Sequence, residues 1–369
     1  MKQSGNEAPL TISDVALHAA VSRATAFRAL SDCGVVDFEM RDDAARMAIA
    51  VETTTGVTSE IPSPTSGVLV IGESLMDVVS SPTGLVEHAG GSPMNVSVGL
   101  ARLGCPVQLL TQIGSDERGT VITDYLAAAG VPLVPGSVVE GPTSTATATL
   151  DASGSASYEF LIDWSLGFVS DLPDSSIVHT GSIAAFLEPG ASQLETLLES
   201  AAVRQAIITF DPNIRPSIIG SKTESLAVVE RLAALATVVK VSDEDALWLF
   251  GELTPGEVLD RLLSIGATLA IVTLGASGAV LATAQNRATI PGRRVAVADT
   301  IGAGDSFMSA VVQRVSALLV SGVDATAIVD GSALGVSALV GIGEFAVSCA
   351  AITVSRTGSN PPTLAEALA

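Results

Sequence analysis

Lysine is nearly missing from this chain: of 369 residues, only Lys2, Lys222 and Lys240 supply it. Lysine and arginine together number 18 against 39 aspartates and glutamates, giving a net charge of −21. A surface so short of cations is ill suited to non-specific adhesion to nucleic acid or to anionic membranes. Cysteine is scarce as well. Cys33, Cys105 and Cys349 are odd in number and far apart, which argues against a disulfide framework or a zinc site. Buried free thiols in a reducing cytoplasm are expected instead. Met1–Leu10 has no apolar core, so no signal peptide is expected there. The most membrane-like stretch, Ala333–Val354, is interrupted by Glu344, Ser348 and several glycines. It reads as packed core helix rather than a spanning segment.

The length suits one large domain with something small attached, or two ordinary domains. Residues 1–51 read as helical, with Val15, Ala16, Ala19, Phe27 and Leu30 at the apolar positions. Residues 52–66, ETTTGVTSEIPSPTS, are rich in Thr, Ser and Pro and read as a linker. From Gly67 to the end, strands and helices alternate. Val68–Gly72, Ala206–Phe210, Val238–Val241 and Leu269–Thr273 are short apolar runs of the buried-strand kind, with helical stretches such as Gln193–Val203 and Thr223–Leu235 between them. This alternation predicts a mainly parallel sheet covered by helices on both faces. Thr143–Phe160 differs. Thr145, Thr147 and Thr149 alternate with apolar residues, Asp151–Gly154 offers a turn, and Ser157–Phe160 returns. That predicts an exposed hairpin.

Asp299–Asp305 reads DTIGAGD, and the residues after it recur apolar at Phe307, Val311, Val315 and Leu318. The spacing predicts a helix with one buried face, starting just past the glycines. Gly302 and Gly304 permit a tight bend and leave room beside the N–H groups of Ala303, Gly304 and Asp305. Free amides at a helix N-terminus suit the charge that develops on a transferring phosphoryl group. Asp305, at the mouth of that anion hole, is placed to take a proton from a hydroxyl nucleophile. Taken alone, the same residues also describe a helix capped after a glycine turn.

A second motif, Gly90-Gly91-Ser92-Pro93-Met94-Asn95 followed by Ala101-Arg102-Leu103-Gly104, lies far upstream. With both motifs in this order, the chain from about Gly67 to Pro362 resembles the ribokinase-like carbohydrate kinases, the PfkB family, and its Asp211–Pro216 stretch, DPNIRP, is similar to one common in their fructokinase-like branch. The resemblance implies a three-layer α/β/α sandwich over residues 67–369 with a small β lid over the sugar, of which the Thr143–Phe160 hairpin is the candidate part. It also implies ATP and Mg²⁺, with K⁺ in some relatives.

Site residues carry over by position. Asp77, in Gly72-Glu73-Ser74-Leu75-Met76-Asp77, follows the first strand, where a carboxylate faces the ligand crevice of an open sheet. The resemblance gives it two sugar hydroxyls, with Gly90, Gly91 and Asn95 beside it. Asp211-Pro212-Asn213-Ile214-Arg215-Pro216 follows another strand. There Arg215 offers a fork to phosphate oxygens and Asn213 can position them. Lys240-Val241-Ser242-Asp243-Glu244-Asp245 stands where the family has Asn-x-x-Glu, organising Mg²⁺ and the nucleotide phosphates. Ser242 replaces Asn and Asp245 replaces Glu, which shortens the reach to a water-bound metal. Thr273-Leu274-Gly275-Ala276-Ser277-Gly278 is similar to the family's turn beside the phosphates. Thr273 supplies a hydroxyl there and Gly275 bare backbone, with Gly278 closing the turn. Asp299 matches a position that binds a monovalent cation in some relatives.

Residues 11–30, Thr11-Ile12-Ser13-Asp14-Val15-Ala16 through Val21-Ser22-Arg23-Ala24-Thr25-Ala26-Phe27-Arg28-Ala29-Leu30, resemble a lac-repressor-type helix-turn-helix. The resemblance implies a small all-α domain over 1–51 with Arg23, Ala24 and Arg28 facing the major groove of DNA. Ala20 and Phe27 depart from its turn glycine and a phosphate-facing serine. The region also holds five basic and seven acidic residues (Lys2, Arg23, Arg28, Arg41 and Arg46 against Glu7, Asp14, Asp32, Asp37, Glu39, Asp42 and Asp43), a poor balance for neutralising phosphates.

The expectation is therefore an ATP-dependent sugar kinase of the cytoplasm, a homodimer with no membrane partner, with Asp305 as general base. The alternatives are a sugar-responsive DNA-binding regulator that uses the kinase fold as sensor, and a keto-deoxygluconate-type sugar-acid kinase.

Overall fold

Strand β1 (Val68–Ile71) is buried along its whole length. In a computed structural model of the protein, which describes residues 67–81, 84–150, 156–167 and 172–369, its side chains divide between two cores. Val68 and Val70 pack into one, Leu69 and Ile71 into the other. The same division recurs along the sheet, because successive side chains of a strand point to opposite faces.

After β1 come β2 (Leu75–Ser81), β3 (Gly84–Gly90), helix α1 (Ser92–Arg102), β4 (Val107–Leu110), β5 (Ile113–Gly114), α2 (Glu117–Ala129) and β6 (Val138–Val139). Next are β7 (Thr145–Leu150), β8 (Ala156–Leu161), β9 (Ile177–Gly181), α3 (Gly190–Val203), β10 (Ile207–Asp211), α4 (Lys222–Leu235), β11 (Val238–Ser242) and α5 (Asp243–Phe250). The chain ends with α6 (Pro255–Ile265), β12 (Leu269–Thr273), β13 (Gly278–Ala282), β14 (Arg287–Pro291), α7 (Ala303–Val320), α8 (Ala325–Val329), α9 (Val336–Val354) and α10 (Leu364–Leu368).

The main sheet runs β14-β13-β12-β11-β10-β9-β1-β4. The six strands from β12 to β4 are parallel, and β13 and β14 are antiparallel additions at one edge. Helices α1, α7 and α9 cover one face, and α3, α4 and α6 the other. This is the expected α/β/α sandwich, and each strand begins or ends within a residue or so of the apolar run that announced it. Helix α9 is long and apolar enough to cross a membrane. Here Leu339, Ile342, Phe345, Ala346 and Cys349 bury one side of it against α7, β13 and β14. Cys105 and Cys349 are buried free thiols, pushed by burial to about 11 and about 12.

A second sheet, β3-β2-β7-β8, lies apart from the first. The β7–β8 hairpin is the one expected from the threonine alternation, pairing Thr145 with Leu161 and Thr147 with Glu159. Its turn, Asp151–Gly154, lies outside the described residues. So do the helix-turn-helix and linker expected over 1–66, with Arg23, Ala24, Arg28 and Cys33. β2 and β3 were not expected. They place Asp77 inside a lid strand, opposite His88 of β3 and Ala146 of β7. The reading of Asp77 as the carboxylate closing the first strand is corrected: the chain leaves the main sheet at Ile71 and enters the lid sheet at Leu75.

Candidate active site

The parallel strands end together. Ile71 closes β1, Gly181 β9, Asp211 β10, Ser242 β11 and Thr273 β12, all at the carboxyl edge where open α/β sheets bind ligands. Helices α1 and α7 present their N-termini to that edge. They cross closely because residue 99 is glycine: a Cβ there would sit 2.5 Å from Ser309 Oγ.

Helix α7 starts where the glycine motif predicts. Gly302 is its N-cap in the left-handed region, φ 75°, with no side chain capping the helix. A side chain on Gly302 would also collide with Ser359, whose Oγ lies 2.2 Å from the Cβ position. Of the three amides expected to be free, Ala303 N–H turns back to Thr300 O at 3.3 Å. The amides of Gly304 and Asp305 meet no acceptor among the described residues. The anion hole is thus narrower by one donor than the sequence suggested, because the turn closes on itself.

Asp305 is buried and held from α1. Ser92 Oγ donates to Oδ1 at 2.6 Å, and Asn95 Nδ2 donates to Oδ2 at 2.8 Å. Burial pushes the carboxyl pKa up, while the two hydrogen bonds and the charges of Lys240 and Arg215 pull against that rise. The result is an ionisable oxygen pair of raised proton affinity beside two free helix-terminal amides. Such a pair can accept a proton from a hydroxyl while the amides face developing negative charge.

On the other side of Asp305 lies a buried ion pair. Lys240 Nζ donates to Asp211 Oδ2 at 2.8 Å, and a Cβ on Gly304 would sit 3.4 Å from that same Nζ. Lys240 therefore lies directly against the first turn of α7. Burial alone would lower its pKa, but Asp211, Asp245 and Asp305 hold it up. Asp211 is pushed up to about 6 by burial, and its Oδ1 has no partner among the described residues.

The remaining expected residues fall on two sides of this centre. Asp77 faces α1 from the lid, with its carboxylate against the backbone of Gly90. A Cβ on Gly90 would stand 2.1 Å from Asp77 Oδ2. Desolvation raises the Asp77 pKa, against the pull of His88 and Arg215. Gly91, at φ 113°, joins β3 directly to α1. Lid carboxylate, hinge glycines and Asn95 thus form one continuous segment. Toward β10–β12, Asn213 takes a left-handed φ of 40°, and Arg215 is exposed, donating to Ile214 O at 3.0 Å. Ser242 caps α5 reciprocally with Asp245, and Asp245 Oδ1 also accepts Ile214 N–H at 2.9 Å. Thr273 ends β12. Gly275 opens the turn at φ 51° with nothing near its Cβ position, and Gly278 lies under Ile290 O of β14. Asp299 accepts Ile301 N–H at 3.0 Å and Gly358 N–H at 2.9 Å, tying the glycine turn to the C-terminal loop.

Three residues of the site escaped the sequence reading: Ser92, Asp211 as a buried ion, and Glu73. Glu73 is 3% exposed, accepts Ala184 N–H at 3.1 Å, and is raised by burial to about 7. A carboxylate one glycine beyond four apolar strand residues was a usable signal.

The model of the pfkB family carbohydrate kinases matches residues 66–366. The fructokinase of Rhizobium leguminosarum bv. trifolii is 34% identical over 257 residues, spanning 66% of this chain and 78% of that protein. The crystal structure of fructokinase with bound ATP from Xylella fastidiosa has a TM-score of 0.71 and 28% identity, covering 82% of this chain and 97% of that one. A fructokinase double mutant from Vibrio cholerae O395, bound to fructose, ADP and potassium ion, has a TM-score of 0.64 and 26% identity, covering 80% and 95%.

Proposed function

The chain belongs to the pfkB family of carbohydrate kinases, and we propose that it transfers the γ-phosphoryl group of ATP to a hydroxyl of fructose. The observation that carries this reading is Asp305. It is a buried carboxylate at an uncapped helix start, with Gly304 and Asp305 amides beside it.

In the proposed reaction the sugar hydroxyl donates its proton to Asp305. The hydroxyl oxygen bonds to the γ-phosphorus as the bond to the β–γ bridging oxygen breaks, and ADP leaves. The amides at the start of α7, with the Gly302 turn behind them, stabilise charge on the transferred group. Asp77, Gly90, Gly91 and Asn95 hold the sugar from the lid side. Asn213, Arg215, Lys240, Ser242, Thr273, Gly275 and Gly278 border the phosphates. The described residues contain no cluster of three or more His, Cys, Asp or Glu able to ligate a metal. Asp245, close to Lys240 and Asp211, would meet through water a hydrated Mg²⁺ carried on the nucleotide phosphates. Bound there, the ion would neutralise phosphate charge. K⁺ near Asp299 belongs to the same proposal, supported by the potassium-bound Vibrio cholerae relative.

Fructose is favoured by the named relatives and by the Asp211–Pro216 turn. A sugar acid would bring a further carboxylate against Asp77, Glu73 and Asp305. The test is ATP consumption with Mg²⁺ across ketoses, aldoses and sugar acids, run beside Asp305→Asn. Turnover on fructose, reduced about 10²–10⁴-fold in the variant, is expected. Unchanged turnover in Asp305→Asn would remove the general base, and preference for a sugar acid would remove fructose.

Residues 1–51 are further proposed as a helix-turn-helix unit of a homodimer, with Arg23, Ala24 and Arg28 toward DNA. Its support is the sequence match of residues 11–30. Retention of duplex DNA at low salt that is lost in Arg23→Ala, with turnover intact, checks it. No retention removes it.

A further inference from the structure

The proton acceptor is not held by its own helix. Both oxygens of Asp305 are taken by side chains of α1, Ser92 at 2.6 Å and Asn95 at 2.8 Å, although Ser92 lies 213 residues away in sequence. The two donors differ in kind. An amide nitrogen only donates, so Asn95 Nδ2 favours the carboxylate alone. A hydroxyl both donates and accepts, so Ser92 Oγ can serve the carboxylate and, after rotation, the acid. Charges face Asp305 from every side: Glu73 from the loop after β1, Asp211 from β10, Lys240 from β11 and Arg215 from the loop after β10. Lys240 and Arg215 favour its ionised form, while burial raises the two acids themselves. Burial then drives the carboxylate toward protonation; the two α1 donors resist it most, and Lys240 and Arg215 add to them.

We infer that Ser92 is a positioning residue that keeps Asp305 ionised and fixed in one rotamer, ready to receive the sugar proton. This rests on Asp305 being the base. Without the Ser92 hydroxyl, one carboxylate oxygen sits in the interior with no side-chain donor, and the acid form gains.

The consequence is a loss of activity that depends on pH. In Ser92→Ala the acid limb of kcat/KM for the sugar moves up by about one pH unit, the size expected for a charge-assisted hydrogen bond. The variant is therefore roughly tenfold slow on the acid limb and approaches wild type on the plateau. Ser92→Thr, which keeps the hydroxyl, restores the wild-type limb. The experiment is the pH profile of kcat and kcat/KM for wild type, Ser92→Ala, Ser92→Thr and Asp305→Asn, on the full chain. An acid limb that stays in place in Ser92→Ala, with activity reduced equally at every pH, overturns the role of Ser92 and leaves only packing. Wild-type turnover in Asp305→Asn overturns the base itself, and is read separately.

Discussion

Lys240 and Asp211 meet at 2.8 Å on neighbouring strands, with both side chains almost wholly removed from water at 3% and 2% exposure. The second oxygen of that aspartate, Oδ1, has no partner among the described residues. Two charges inside a sheet are costly to desolvate and are tolerated only as a pair. This pair stands directly under the first turn of α7, so it also fixes the electrostatic floor beneath Asp305.

Lys240→Met should accordingly destabilise the protein by about 3–5 kcal/mol, because Asp211 is left as an uncompensated buried charge. Adding Asp211→Asn should recover much of the loss. The deficit of the single variant should be smaller at pH 5 than at pH 8, since an unpaired Asp211 takes up a proton more readily. Urea unfolding of both variants at the two pH values checks this, and an equal loss in single and double variants would dissolve the pair as an energetic unit.

Glu73 supplies a pH dependence of its own. Its pKa is 4.5 in the unfolded reference and about 7 in the folded protein. Between those values the folded state binds more protons than the unfolded state, so stability falls as pH rises from about 4.5 through 7 and then levels. The span corresponds to roughly 3 kcal/mol at most. Glu73→Gln removes this ionisation, so the variant should lose less stability than wild type between pH 5 and pH 8. Parallel urea titrations would show it. Identical pH slopes would mean Glu73 stays ionised in the fold.

What the sequence disclosed and what it hid have physical causes. β1, β10, β11 and β12 were legible because strands buried on both faces are unbroken apolar runs. The start of α7 was legible because only a glycine turn fits there. β2 and β3 were not: most of β3 is exposed, so its side chains carry no alternation of buried and open positions. Asp77 consequently reads, in sequence, as the carboxylate that follows β1. The pairing of Ser92 with Asp305 left no trace either, because tertiary contacts between two helix starts have no local pattern. Lys240 and Asp211 did leave one. Lys240 is a charge inside an otherwise apolar strand and Asp211 a charge closing the next one, which calls for pairing of opposite signs.

Gly90 tests the link between lid and site. A methyl group there would stand 2.1 Å from Asp77 Oδ2 and 2.9 Å from its carboxyl carbon. The Asp77 side chain must swing away, and the fold should survive, since a side-chain end is what moves. Gly90→Ala is therefore expected to raise KM for the sugar about tenfold or more, with kcat reduced less and ATP affinity kept. Steady-state kinetics with each substrate varied in turn separates these. A rise confined to the KM for ATP would place Asp77 away from the sugar.

Asp245 tethers two parts of the phosphate side at once. Its Oδ2 accepts Ser242 N–H at 3.2 Å to complete the cap of α5, and its Oδ1 accepts the buried Ile214 N–H at 2.9 Å. That second bond anchors the turn in which Asn213 adopts φ 40°, a conformation asparagine tolerates but does not prefer. Asp245→Ala leaves the Ile214 amide without an acceptor and should cost about 1–3 kcal/mol. Asp245→Asn keeps an acceptor oxygen for Ile214 and should cost less. The same order should appear in catalysis, because a loosened turn no longer aims Arg215: Asp245→Ala slowest, Asp245→Asn intermediate. Thermal unfolding and kcat measured on both variants decide the matter. Equal damage from the two would show that the negative charge, and not the tether, is what the phosphate side requires.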